Sequence, residues 1–139
     1  MSGAAIELRG ISARYEGADQ LAVDDVNLAV NPGELIALVG PSGSGKSTLL
    51  RTVNRLVPIE RGRIELDGVD TATLDPVVMR RGIGYAIQAV GLFAHMDVAT
   101  NIAIVPSLLG WDRERIAARV DEMLELVRLD PARYRRRRP

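Results

Sequence analysis

Apolar and polar positions alternate twice within the first thirty residues, at Ile6-Glu7-Leu8 and at Val26-Asn27-Leu28-Ala29-Val30. A period of two predicts half-buried strands. Tyr15-Glu16-Gly17-Ala18-Asp19 between them is rich in turn formers, and Asn31-Pro32-Gly33 signals a turn. The alternation then stops. Glu34-Leu35-Ile36-Ala37-Leu38-Val39 is apolar after its first residue, the pattern of a strand covered on both faces, as in a parallel sheet. A Gly-rich loop follows. Leu49, Leu50, Val53 and Leu56 then fall at helical spacing and predict a helix over 47–56. Gly62 to Leu66 reads as a strand closed by Asp67-Gly68, Asp75 to Arg80 as a short helix, and Ile83-Gly84-Tyr85-Ala86-Ile87 as a short strand ending at Gln88. Beyond Gln88 the period becomes helical. Asp97 suits the cap of a helix carrying Val98, Ile102 and Val105, which Pro106 ends or interrupts. Asp112 suits the cap of another, with Ile116, Val120, Met123, Leu124 and Val127 as its apolar stripe. The order is β-rich, then strand–loop–helix, then helical, with no internal repeat.

The Gly-rich loop carries the candidate chemistry. Gly40-Pro41-Ser42-Gly43-Ser44-Gly45-Lys46-Ser47 matches the full P-loop pattern, which binds the phosphates of a nucleoside triphosphate. The loop must aim several backbone N–H groups at phosphate oxygens, and its glycines permit the dihedrals and leave room. The helix that follows turns its positive end to the same place. Lys46 reaches the outer phosphates as a mobile point charge. The Ser47 hydroxyl is placed to ligate Mg2+. A plain strand–helix turn is the bland alternative, but the apolar strand before and the helix after are what phosphate binding demands.

Composition and charge narrow the picture further. The 139 residues are 47% hydrophobic and 26% charged, as in a globular domain or part of a larger one. Bases and acids balance at 18 each, which gives no argument for nucleic acid. The balance is uneven: Arg133, Arg135, Arg136, Arg137 and Arg138 crowd the last seven residues, leaving 13 basic against 18 acidic elsewhere. With no cysteine, disulfides, thiolate metal sites and cysteine nucleophiles are excluded. No stretch approaches the roughly 20 apolar residues of a transmembrane helix, and the N-terminus has no signal-peptide pattern. The expectation is a soluble chain whose membrane role comes through a partner.

Tyr15, Gly-Pro-Ser-Gly-Ser-Gly-Lys-Ser-Thr at 40–48, and Tyr85-Ala86-Ile87-Gln88 together resemble the nucleotide-binding subunit of an ABC transporter. The stretch from Gln88 to Pro106 with Leu108-Leu109-Gly110-Trp111 is similar to importers of osmoprotectants such as glycine betaine, carnitine, choline and proline. The resemblance runs from about Ile6 to Pro139. It implies an α/β P-loop NTPase fold with an N-terminal antiparallel β subdomain and the start of a helical subdomain. Residues 1–88 would be the β subdomain and P-loop core, and 89–139 the coupling loop and helical part.

It further implies ATP and Mg2+ as ligands, and an ATPase that powers import. Phosphates and nucleotide would be held by Gly40, Pro41, Ser42, Gly43, Ser44, Gly45, Lys46, Ser47 and Thr48. Lys46 and Gln88 would serve catalysis, with Ser47 and Gln88 at the metal. Tyr15 would stack on adenine. Chemistry alone leaves stacking level with a Tyr that half-packs on the β subdomain, and the family pattern favours stacking. Gln88 reads blandly as a polar strand end. The partners implied are a transmembrane permease, a second nucleotide-binding subunit and no nucleic acid, which places the chain on the cytoplasmic face of the membrane. Phe93, Met96 and Val98 would be permease contacts or helical-subdomain core, and both readings stay open. His95 lies in the docking loop and is not read as catalytic; Trp111 is read as helix packing. Ala94 departs from the family, where Pro usually follows Phe. The arginine run resembles the family's linker, with a basic contact patch as the alternative.

The 139 residues contain no Leu-Ser-Gly-Gly signature, no strand with the metal-binding Asp and catalytic Glu, and no switch histidine. The expectation is an N-terminal piece of an ABC ATPase with little turnover by itself. A non-catalytic nucleotide-binding or docking module is the second reading. A GTPase or small-molecule kinase is the third, disfavoured because no Asn-Lys-x-Asp motif is present.

Overall fold

The computed structural model describes residues 3–87 and 91–139. Gln88 and the roles expected of it lie outside the described residues. The chain divides into two compact units, Met1–Ile83 and Gly84–Pro139.

Both alternating runs of the first unit form strands. β1 (Ile6–Ala13) lies between β2 (Val23–Val30) and β3 (Arg61–Leu66), and β4 (Val69–Asp70) sits beside β3 at the edge. All neighbours are antiparallel. Asp67 and Gly68 both have positive φ, the backbone of a tight two-residue hairpin between β3 and β4. The β1–β2 register shifts between Leu8 and Ile11. There the Gly10 N–H, lost to the ladder, donates to Asn27 Oδ1 at 2.8 Å. The inward face of the sheet supplies Leu8, Ile11, Ala13, Val23 and Ile64 to one core, joined by Leu49 of helix α1 (Lys46–Val53) and by Val57.

α1 stops three residues before Leu56. Arg55 takes a left-handed φ of 52°, and Leu56 N–H donates to Arg51 O at 2.9 Å, which turns the chain out of the helix. The carbonyls so released are satisfied by Arg80, which donates to Asn54 O at 2.9 Å and Arg55 O at 2.7 Å. Arg80 belongs to helix α2 (Pro76–Arg81), whose cap Asp75 accepts from the N–H groups of Val77 and Val78.

Two expected strands do not form. Among the described residues no strand pairs with Leu35–Val39, and Leu35 and Val39 are 94% and 93% exposed. Only Leu38 of that run packs against the core. Ile83–Ile87 is likewise unpaired among the described residues, with Tyr85 and Ile87 exposed. A strand exists by virtue of a partner's hydrogen bonds. Apolar character alone does not supply one.

The second unit is helical: α3 (Val98–Leu108), α4 (Arg113–Leu126) and α5 (Pro131–Tyr134). Asp97, Asp112 and Asp130 cap them, accepting from Thr100, Arg115 and Ala132 N–H at 2.8 to 2.9 Å. Pro106 does not end α3, which runs two residues further. Having no N–H, Pro106 leaves the Ile102 carbonyl without its usual i→i−4 donor. Val120 and Leu124 of α4 are buried. The arginine run folds back: the carbonyls of Arg137 and Arg135 accept from Val98 and Ala99 N–H at 2.8 and 3.0 Å. Those are donors that a helix start leaves open.

Ile64 is 1% exposed, whereas Leu35 is almost wholly in solvent. Ile64→Ala is expected to lower unfolding stability by about 2–5 kcal/mol in urea titration. Leu35→Ala is expected to change it by under about 0.5 kcal/mol. Equal losses would refute the unpaired state of the 35–39 run.

Candidate functional site

The glycine loop is built on one close approach. Gly45 has φ +86° and caps α1 without a side-chain bond. A Cβ placed on it would meet Ala22 O at 2.2 Å, so no other residue fits there unless the backbone moves. Ala22 is itself held by its N–H to Ala13 O at 2.9 Å, the end of β1. The start of α1 is thereby fixed against the sheet. Ser44 N–H donates to Pro41 O at 3.3 Å and closes the loop, and Leu49 N–H donates to Gly45 O at 2.8 Å to open the helix. No acidic residue occupies the first turn of α1. Its leading N–H groups therefore face the loop with no competing anion nearby in sequence.

Lys46 curls over this loop. Its ammonium donates to Gly40 O at 2.8 Å, Pro41 O at 2.7 Å and Ser44 Oγ at 3.1 Å. Three acceptors satisfy all three protons. The loop thus holds a positive charge over its own backbone, an arrangement that a polyanion can exchange for phosphate oxygens. Ser47 is exposed beside it. A single hydroxyl is a poor metal site alone, and no group of three or more His, Asp or Glu that could hold a metal exists among the described residues. The donor set fits Mg2+ only when phosphate oxygens complete the shell, which is how Mg2+ is usually bound at nucleotide sites.

Thr48 and Tyr15 join a second part. Thr48 is buried, and its hydroxyl lies 3.0 Å from the Tyr15 hydroxyl. Arg51 Nη1 donates to the same phenol oxygen at 3.1 Å. The hydrogen bond with Thr48, and then the Arg51 guanidinium, hold the Tyr15 phenol below its ordinary range. The ring lines an open cavity of about 750 Å3 with Arg14, Glu16, Arg51, Pro58 and Glu60. A separate cavity of about 650 Å3 includes Val39, Gly40, Pro41, Ser44, Gly45 and Lys46. The two have no lining residue in common, so Thr48 and α1, not one continuous hollow, link Tyr15 to the loop.

In the second unit the expected docking residues are dissimilar. Phe93 is exposed, with His95 against it edge-on at 6.0 Å between ring centres, while Met96 and Val98 are half-buried. The Arg115 guanidinium lies 3.6 Å over Trp111, a packing contact.

A family model described as ABC transporter matches residues 23–138. The chain belongs to the ABC transporter family. It is 42% identical to the osmoprotectant import ATP-binding protein OsmV of Salmonella typhimurium, over 96% of this chain and 36% of that protein. It is 48% identical to the glycine betaine uptake system ATP-binding protein YehX of Escherichia coli, over 80% of this chain and 36% of that one. The choline transport ATP-binding protein OpuBA of Bacillus subtilis is 43% identical over 91% of this chain and 33% of its own length. The chain thus spans about a third of these curated relatives. Among solved structures, a dimeric ATP-binding cassette in a post-hydrolysis state, bound to ADP and Pi, superposes with a TM-score of 0.81 at 26% identity. That match covers 96% of this chain and 61% of the other, and it shows the ABC ATPase fold in its N-terminal part.

Two residues went unnoticed in the sequence. Arg51 reaches Tyr15 because it lies one turn after Thr48 on α1. Asn101 lies four residues after Asp97, and its side chain ties the Phe93–Asp97 loop. It accepts from Phe93 N–H at 2.8 Å and donates to Asp97 O at 3.0 Å. Helical spacing places each beside Thr48 or Asp97, but neither partner loop is given by that spacing.

Gly45→Ala is expected to destabilise the chain by several times the roughly 1 kcal/mol cost of a left-handed alanine, because a backbone collision adds to it. Thermal unfolding checks this, and an unchanged Tm would show that Ala22 and Gly45 are free to separate.

Proposed function

We propose that this chain is the nucleotide-binding part of the ATPase subunit that powers an ABC importer, with osmoprotectants such as glycine betaine, choline or proline as cargo. The observation that carries the reading is the preformed glycine loop with Lys46 folded over it, on a chain of this family. The import names of the relatives cited above support that class of cargo.

In this reading the N–H groups of the 40–48 loop and Lys46 take the phosphates of ATP. Lys46 stabilises the charge that develops as the terminal phosphoryl leaves. Ser47 and Gln88 hold Mg2+, with Gln88 also near the attacking water. Tyr15 supplies a face for adenine. Residues 1–88 form the β subdomain with the phosphate loop, and 89–139 the coupling loop and helical part. A permease is the membrane partner, met through the exposed loop at Phe93, and a second nucleotide-binding subunit completes the working unit. No helix among the described residues is long and apolar enough to cross a membrane, which agrees with attachment to the cytoplasmic face through the permease. The arginine run is engaged by α3 and by Asp121, which favours a linker over a nucleic-acid arm.

Lys46→Ala removes the only lysine. Equilibrium dialysis with MgATP is expected to show binding by the unaltered chain and a loss of about 10- to 100-fold in the variant. Equal affinities, or no binding by the unaltered chain, would sink the proposal.

A further inference from the structure

We propose that Arg51 is a positioning residue for base recognition, which with Thr48 pins the Tyr15 hydroxyl to α1 and holds the ring ready for a nucleobase. The inference rests on the ATP-binding reading above and adds a residue to it.

Tyr15 belongs to no strand or helix. It follows β1 by two residues and opens a turn in which Ala18 N–H donates to Tyr15 O at 3.0 Å. That turn fixes the backbone and leaves the ring free to swing. Two contacts oppose the swing, and both are made by the hydroxyl: Thr48 Oγ1 at 3.0 Å and the Arg51 guanidinium at 3.1 Å. Thr48 and Arg51 stand three residues apart on one face of α1. Holding a ring by its edge atom leaves its faces uncovered, and Tyr15 remains 42% exposed.

Ordering a side chain beforehand removes that entropic cost from binding. Thr48 lies two residues after Lys46, so the platform for the base is fastened to the helix that begins at the phosphate loop. The lowered pKa of the phenol agrees with two groups that favour its charged form. Arg51 is exposed, so its hydrogen bond competes with water and its contribution is modest; it concerns the base, not the phosphates.

The test compares the full chain with Arg51→Met, Arg51→Lys, Tyr15→Phe and the Arg51→Met/Tyr15→Phe double variant. Three quantities are measured: the Kd for ATP, the Kd for inorganic tripolyphosphate, and the phenol titration of Tyr15 by ultraviolet difference against Tyr15→Phe. Arg51→Met is expected to weaken ATP binding about 3- to 10-fold while tripolyphosphate binding stays unchanged. Arg51→Lys is expected to recover part of the loss. The Tyr15 titration is expected to move upward in Arg51→Met, because a group that favours the phenolate has gone. The double variant is expected to lose no more than Tyr15→Phe alone, the mark of a shared interaction. Equal weakening of ATP and tripolyphosphate would overturn the proposal and show damage to α1. Unchanged ATP binding by Arg51→Met, with Lys46→Ala still defective, would overturn the positioning role and leave the ATP reading intact. Failure of the unaltered chain to bind either ligand would overturn both.

Discussion

The contact between Gly45 and the Ala22 carbonyl decides where everything else in the candidate site can be. The backbone of the phosphate loop passes so close to the segment before β2 that a side chain at Gly45 would meet Ala22 O at 2.2 Å. That contact sets the starting point of α1, and α1 in turn carries Lys46, Ser47, Thr48 and Arg51. Leu49 drives the same helix into the sheet core, so burial and chemistry are anchored by a single short element of eight residues. Shifting its first residue by one position would rotate each of these side chains by about 100°. Tyr15, on a different strand connection, meets the helix only because the start is fixed.

The candidate site was legible because its loop is a local motif. Gly40 to Ser47 can be read without knowing what lies across the sheet, and Asp97 and Asp112 could be read as caps for the same reason. The antiparallel sheet was nearly as plain, since alternation at Ile6–Leu8 and Val26–Val30 marks a face by itself. What the pattern could not settle was pairing. Leu35–Val39 has the apolarity of a central strand, yet among the described residues nothing offers it a ladder. The run spends its apolarity on a single core contact through Leu38. The end of α1 was misjudged for a related reason. Leu56 continues the helical spacing, but Arg80 from another helix takes the carbonyls and the chain turns away.

Arg51 shows the limit of motif reading. A motif names the residues that touch the ligand and is silent on those that hold such residues still. Arg51 acts three positions beyond Thr48, on a partner 36 residues earlier in the chain. Such support is invisible in a one-dimensional pattern until the partner's location is known. The same holds for Asn101, whose single amide organises a whole loop from the helix behind it.

The folded-back arginine run ties sequence positions about 40 residues apart, since Arg135 and Arg137 carbonyls complete the first turn of α3. The arginine run that closes the start of α3 is also rich in tryptic sites. Cleavage after Arg135 would detach the Arg137 carbonyl and return the Val98 N–H to solvent. The first turn of α3 thus depends on residues more than thirty positions later in the chain.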